Sequence, residues 1–179
     1  AVSHAGGMGV VQPISMTHIY KHDFRQGLRL IKSLTDKPFG VNFTLMDGVK
    51  AYEKRNRQWM EIAIEEGVKF FLTSLGNPKP IVRIARENGI VVYHDVTTKA
   101  FAAKAVDAGV DGLNCVNNRA GGQTGQISPE QMLEDLADFG LPLVCAGGVG
   151  DEADFESMLT QGYAGVQLGT RFLATQECQ

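Results

Sequence analysis

Cysteine, net positive charge and long apolar runs are all scarce in this sequence. Its three cysteines, Cys115, Cys145 and Cys178, are odd in number and widely spaced, with no Cys-x-x-Cys pair. That excludes a disulfide framework and a cysteine zinc site, and Cys115 and Cys145 are expected to be small core residues. Lys and Arg total 17 against 20 Asp and Glu, a net charge of -3, and they form no cluster. Neither nucleic acid nor an anionic membrane is therefore expected as partner, and a small anionic ligand must be held by local groups. The longest apolar stretches, such as Ile90 to Tyr93, fall far short of the roughly 18 residues of a membrane span. No basic-then-apolar signal heads the chain, so a cytoplasmic location is expected. What is present is 44% apolar residues and 21 glycines in 179 positions, the profile of one globular domain with a sizeable core. The first residue is Ala, and Ala1 to Gly7 read as the last turn of a helix closing on glycine, so both ends are expected to be cuts.

One unit recurs along the chain: an amphipathic helical stretch, a glycine, then a short run rich in Val, Ile and Phe. The glycines that would end helices are Gly67, Gly89, Gly109, Gly140 and Gly162. Their spacing fits one helix and one strand per unit, the βα rhythm of a parallel sheet. Phe70-Phe71-Leu72, Ile90 to Tyr93 and Leu143 to Ala146 are too continuous for strands with one wet face and suit burial on both. Strands are expected near Met8 to Val11, Phe39 to Leu45, Lys69 to Leu75, Ile90 to Val96, Gly112 to Val116, Leu141 to Gly147 and Gly165 to Gly169. Helices are expected between them, among them Arg57 to Glu66 and Ser128 to Ala137, the latter opening on an N-cap serine with proline at the first helical position. No linker divides the chain, and residues 1–179 are read as one domain. The fold class expected is α/β, an incomplete (β/α)8 TIM barrel. An open doubly wound sheet fits less well, because its phosphate loop follows the first strand and the glycine-rich loops here come late.

In such a barrel the chemistry sits just past the strands. Cys145-Ala146-Gly147-Gly148-Val149-Gly150-Asp151 ends one strand and opens a helix, where bare backbone and helix N–H groups suit a phosphate. Gln167 to Phe172 ends the next strand and adds Gly169, Thr170 and Arg171. Two glycine loops on consecutive late strands match the phosphate site that barrels build there. Asn117 to Gly125 is a polar, glycine-rich loop long enough to read as an active-site segment. Tyr93-His94-Asp95 closes a further strand, where a histidine is either a core residue or a catalyst. His4, His18 and His22 read as surface residues.

Pro38 to Phe43, Asn117 to Gly125, Cys145 to Val149 and Gly165 to Thr175, in order along the whole chain, resemble the nitronate monooxygenase family, formerly called 2-nitropropane dioxygenases. The resemblance implies a TIM barrel that binds FMN and oxidises alkyl nitronates with O2 to carbonyl compounds and nitrite. It implies that Ala146, Gly147, Gly148, Gly169 and Thr170 form the FMN phosphate loops, that Gly122 lies near the flavin, and that Thr73 touches the cofactor. It also implies that the chain is a fragment carrying strands 2 to 8, without the first strand and the C-terminal helix, and that alone it would be unstable and bind FMN poorly.

Two departures from the family carry consequences. Where relatives place a catalytic histidine this chain has Gln123, whose amide donates a hydrogen bond but does not titrate near neutral pH. Preformed nitronates are then the expected substrates, with little activity on neutral nitroalkanes; His94 is the alternative base. Asp95 stands where some relatives place Lys near the flavin pyrimidine. A carboxylate there disfavours charge on the reduced ring, so Asp95→Asn is expected to raise the reduction potential. Arg119 and Arg171 are candidates to draw in an anion or to pair with phosphate. Competing readings are an NAD(P)H-dependent quinone or enoyl-thioester reductase on the same FMN barrel, and an inactive phosphate-ligand-binding barrel. No metal is expected.

Overall fold

The computed structural model describes residues 1–176 and contains the seven expected strands. In chain order the elements are β1 (Gly9–Val11), α1 (Phe24–Leu34), β2 (Phe39–Leu45), α2 (Lys50–Glu65), β3 (Phe70–Leu75), α3 (Lys79–Glu87), β4 (Val91–Val96), α4 (Lys99–Ala108), β5 (Gly112–Val116), α5 (Pro129–Leu136), β6 (Leu143–Ala146), α6 (Glu152–Gln161), β7 (Gly165–Gln167) and α7 (Thr170–Leu173). The α/β class and the strand-helix rhythm are those of an incomplete TIM barrel. The chain divides into two compact units, residues 1–93 and residues 94 onward, with the division inside β4. All five predicted helix-ending glycines take left-handed backbone.

In the first unit β1, β2 and β3 pair in parallel, with Val11 opposite Val41 and Val41 opposite Phe71. Side chains alternate across the sheet, so Val41, Phe43 and Phe71 share one face and are fully buried. Phe43 and Phe71 meet edge to face with centroids 5.0 Å apart. Leu28 of α1 and Trp59, Met60 and Ala63 of α2 bury with them, and Asn56 Nδ2 donates to Thr44 O at 2.8 Å, fastening α2 to β2. Glu66, just past α2, is only 7% exposed because three cations of α1 converge on it: Arg25, Arg29 and Lys32. Helix α2 starts seven residues before its apolar periodicity suggests. Its first two turns are mostly exposed and polar, so they carry no apolar signal, and Glu53 accepts from the Gly48 N–H in place of a cap side chain. The first seven residues close as a helix end does: Gly7 N–H reaches Val2 O and Gly6, with positive φ, reaches Ser3 O.

In the second unit β5, β6 and β7 pair in parallel, with Cys115 opposite Cys145 and Ala146 opposite Gln167. Leu113, Cys115 and Cys145 are fully buried with Met132 and Leu136 of α5. Burial pushes the Cys115 thiol up to about 12 and Cys145 to about 11, so both are inert core residues, as expected. Cys178 lies outside the described residues. Ser128 accepts from Gln131 N–H at 3.2 Å and caps α5, which ends one residue earlier than expected because residues 137–139 tighten into a 3-10 turn. Among the described residues no helix is long and apolar enough to cross a membrane, and no cluster of His, Cys, Asp or Glu is arranged to hold a metal.

Candidate active site

The second unit contains a cavity of about 820 Å3 at the C-terminal ends of its strands, bordered by Asp95 of β4, Val116 of β5, Ala146 of β6, Gln167 of β7 and the loops that follow. The loop after β5 is shaped by one buried side chain. Asn117, with no exposed surface, accepts from Arg119 N–H through Oδ1 at 2.8 Å and donates through Nδ2 to Gly147 O at 3.0 Å. Its carbonyl accepts from Gly125 N–H and the Thr124 hydroxyl, and its own N–H reaches Ala146 O. A single amide thereby ties the polar loop to the glycine loop after β6.

That closeness gives Gly147 and Gly148 a structural reason of their own. Both have positive φ, 124° and 80°. A Cβ at Gly147 would stand 2.5 Å from Ala120 N and 2.6 Å from Asn117 Oδ1, and one at Gly148 would stand 2.7 Å from Arg119 Cδ. The glycine pair therefore admits the neighbouring loop whatever ligand it also meets. The turn opening α6 is likewise already satisfied: Asp151 accepts from Asp154 N–H at 3.0 Å, and Asp154 accepts from Gly150 N–H at 2.9 Å. Two carboxylates thus occupy the helix end that the spacing offered to a phosphate, and the anion-binding capacity passes to the loops. The Gly148, Val149 and Gly169 N–H groups donate to no other group among the described residues. Arg119 pairs with Glu130 at 3.1 Å, whereas Arg171 has no acidic partner among the described residues. Nothing stands within 4 Å of where a Cβ at Gly122 or Gly169 would lie.

On the strand side, Asp95 Oδ1 accepts from Asn114 Nδ2 at 2.6 Å, and the same Nδ2 donates to Gln167 Oε1 at 2.9 Å. Three strands thus contribute one polar chain. Burial pushes the Asp95 carboxyl up to about 6, only partly offset by the Asn114 hydrogen bond.

Of the residues singled out from sequence, Gly122, Gln123, Ala146, Gly147, Gly148, Gly169 and Thr170 border this cavity together, as do Arg119 and Arg171. Thr73 lies in the first unit, buried on the face of Phe71 with its hydroxyl donating to Tyr93 O at 3.1 Å, and its side chain has no exposed surface for a ligand. His94 is 4% exposed and does not border the cavity, because strand alternation gives that place to Asp95. Asn114 was missed, and Asn117 and Gln167 were named only as the first residues of their loops, without the roles they take here. They lie inside strands or at their ends, and only the parallel register brings residues so distant in the chain together.

These features define a class first: a βα-barrel fold with a cavity on the loops after its last strands. The chain belongs to the nitronate monooxygenase family, whose description it matches over residues 1–179. It is 30% identical to the nitronate monooxygenase of Pseudomonas aeruginosa over an alignment of 220 positions, covering 99% of this chain and 62% of that protein. It is also 30% identical to (3aS,4S,5R,7aS)-5-hydroxy-7a-methyl-1-oxo-octahydro-1H-indene-4-carboxyl-CoA dehydrogenase of Mycobacterium tuberculosis, here over 181 positions covering 99% of this chain and 48% of that protein. FabK from Thermotoga maritima superposes with a TM-score of 0.83 at 29% identity, over 98% of this chain and 54% of that one. The nitroalkane oxidase of Streptomyces ansochromogenes, 22% identical, shares the fold with a TM-score of 0.83, over 98% of this chain and 61% of that one. The chain thus spans about half to three fifths of the length of these relatives.

Proposed function

We propose that this chain carries the phosphate anchor and substrate amide of an FMN-dependent enzyme that oxidises alkyl nitronates with O2 to a carbonyl compound and nitrite. One observation carries the reading: a single cavity gathers the Gln123 amide with backbone amides and an arginine that have no partner among the described residues. The residues fit a phosphate ester. The Gly148, Val149 and Gly169 N–H groups would hold its oxygens, Arg171 would balance its charge, and the open space beside Gly122 and Gly169 would admit it. FMN, when bound, supplies electron transfer from the organic substrate and reaction with O2. The chain's own part is to position the substrate: Gln123 donates from its amide to a nitronate oxygen, and Arg119 and Arg171 favour entry of an anion.

A second reading is favoured by the alignments. The match to the Pseudomonas nitronate monooxygenase spreads over 220 positions for a chain of 179 residues, so that relative carries insertions absent here. The dehydrogenase alignments run over 181 and 176 positions, almost without them. That favours a flavin dehydrogenase or reductase acting on a thioester.

The two separate by experiment on the full-length protein. Nitronate oxidation predicts a yellow protein with nitronate-dependent oxygen uptake. The second reading predicts anaerobic bleaching of the flavin by NAD(P)H or a thioester and no response to nitronate.

A further inference from the structure

The amide at position 123 leaves the cavity without the family's proton acceptor, yet a half-buried carboxyl borders the same cavity. We propose that Asp95 is the catalytic base of this site, removing a proton from the carbon of a neutral carbon acid, so that nitroalkanes are substrates as well as preformed nitronates. The inference rests on the nitronate-oxidising reading above and reverses the expectation drawn from Gln123 alone.

The geometry is that of a positioned base. Asp95 sits in the C-terminal half of β4 and borders the cavity. Its Oδ1 is fixed by Asn114 Nδ2 at 2.6 Å, and Asn114 is itself held by Gln167. Its second oxygen accepts no hydrogen bond among the described residues, which leaves an oxygen for substrate. Neither Asn114 nor Gln167 titrates, and no cation pairs with Asp95 among the described residues. The other charged groups bordering the cavity are Arg119, committed to Glu130; Asp154, committed to the Gly150 N–H; and Arg171. Burial raises the carboxyl to about 6, so it is ionised at neutral pH and more basic than an ordinary aspartate, the range a general base requires.

In the step, the substrate C–H bond breaks, its proton passes to the free Asp95 oxygen, and its electron pair stays on the substrate as the nitronate. The oxidant for the nitronate so formed would be supplied by FMN when bound. Gln123 donates to the nitro oxygen on which charge develops.

The test uses nitroethane and ethylnitronate with the full-length protein and its Asp95→Asn variant. Anaerobic exchange of nitroethane α-hydrogens into D2O, followed by proton NMR, reads proton removal without oxidation; oxygen uptake with each substrate reads turnover. The wild type is expected to catalyse the exchange and to oxidise nitroethane faster as pH rises through about 6. In Asp95→Asn, the ratio of nitroethane to ethylnitronate turnover should fall at least about 100-fold. Circular dichroism of the same preparation reports whether the variant is folded. A wild type that oxidises ethylnitronate but neither exchanges nor oxidises nitroethane overturns the inference, as does an unchanged ratio in the variant. Exchange that depends on Asp95, without oxidation of either substrate, supports the base and instead removes the nitronate-oxidising reading.

Discussion

At the scale of the residue, Asp95 carries an energetic cost in the folded chain. Its carboxyl titrates at about 6, against an ordinary 3.8, because burial disfavours the ion. The folded state therefore holds the proton more tightly than the unfolded chain does. The stabilising contribution of the neutral acid is complete below the unfolded value and is lost as pH rises through about 6. The isosteric Asp95→Asn, which keeps an oxygen for Asn114, should raise stability at pH 8 by on the order of 3 kcal/mol and by much less at pH 4. Denaturant titrations at the two pH values measure that difference; equal gains at both would show that ionisation is not the cause. Gln123 makes a different kind of contribution. If its amide donates to a nitronate oxygen, Gln123→Ala should lower kcat/KM for nitronate by about 10- to 100-fold through loss of a hydrogen bond to a charged group, and should leave the pH profile in place. Gln123 was legible from sequence because a loop motif places it. His94 and Asp95 are neighbours, and only strand alternation in the folded chain decides which of them borders the cavity.

At the scale of the element, the loops after β5 and β6 behave as one piece because Asn117 joins them. Replacing it by Ala leaves the Arg119 N–H and the Gly147 carbonyl without their partner. Asn117→Ala should cost about 2 to 4 kcal/mol in thermal or chemical denaturation, and it should loosen cofactor retention more than it disturbs the sheet. Retention equal to that of the wild type would show that the two loops are set independently. The strands and the helix-ending glycines were legible to within a few residues, since βα periodicity and glycine punctuation are local signals. The start of α2 was not, because Lys50 to Asn56 are nearly all exposed or half-buried and follow no apolar period. The anion site was legible as loops, but the α6 N-terminus assigned to it is closed by Asp151 and Asp154, residues whose capping role is visible only once the helix forms.

At the scale of the whole molecule, the first unit contributes a conventional apolar core and the second contributes the cavity. Phe43 is 1% exposed against Phe71, so Phe43→Ala should cost about 3 to 5 kcal/mol in a denaturant titration. The family is fixed by a match along the entire chain, while the reaction is not fixed by the fold, since dehydrogenases and nitronate monooxygenases resemble it to the same degree. Under the proposed flavin chemistry, the choice between them turns on what reduces the flavin. The most direct measurement is anaerobic mixing of the full-length protein with ethylnitronate, following the visible flavin band. The account predicts that the band bleaches with nitronate and returns with O2, releasing nitrite. A protein without flavin, or one whose flavin bleaches with NAD(P)H or a thioester and is untouched by nitronate, would contradict it.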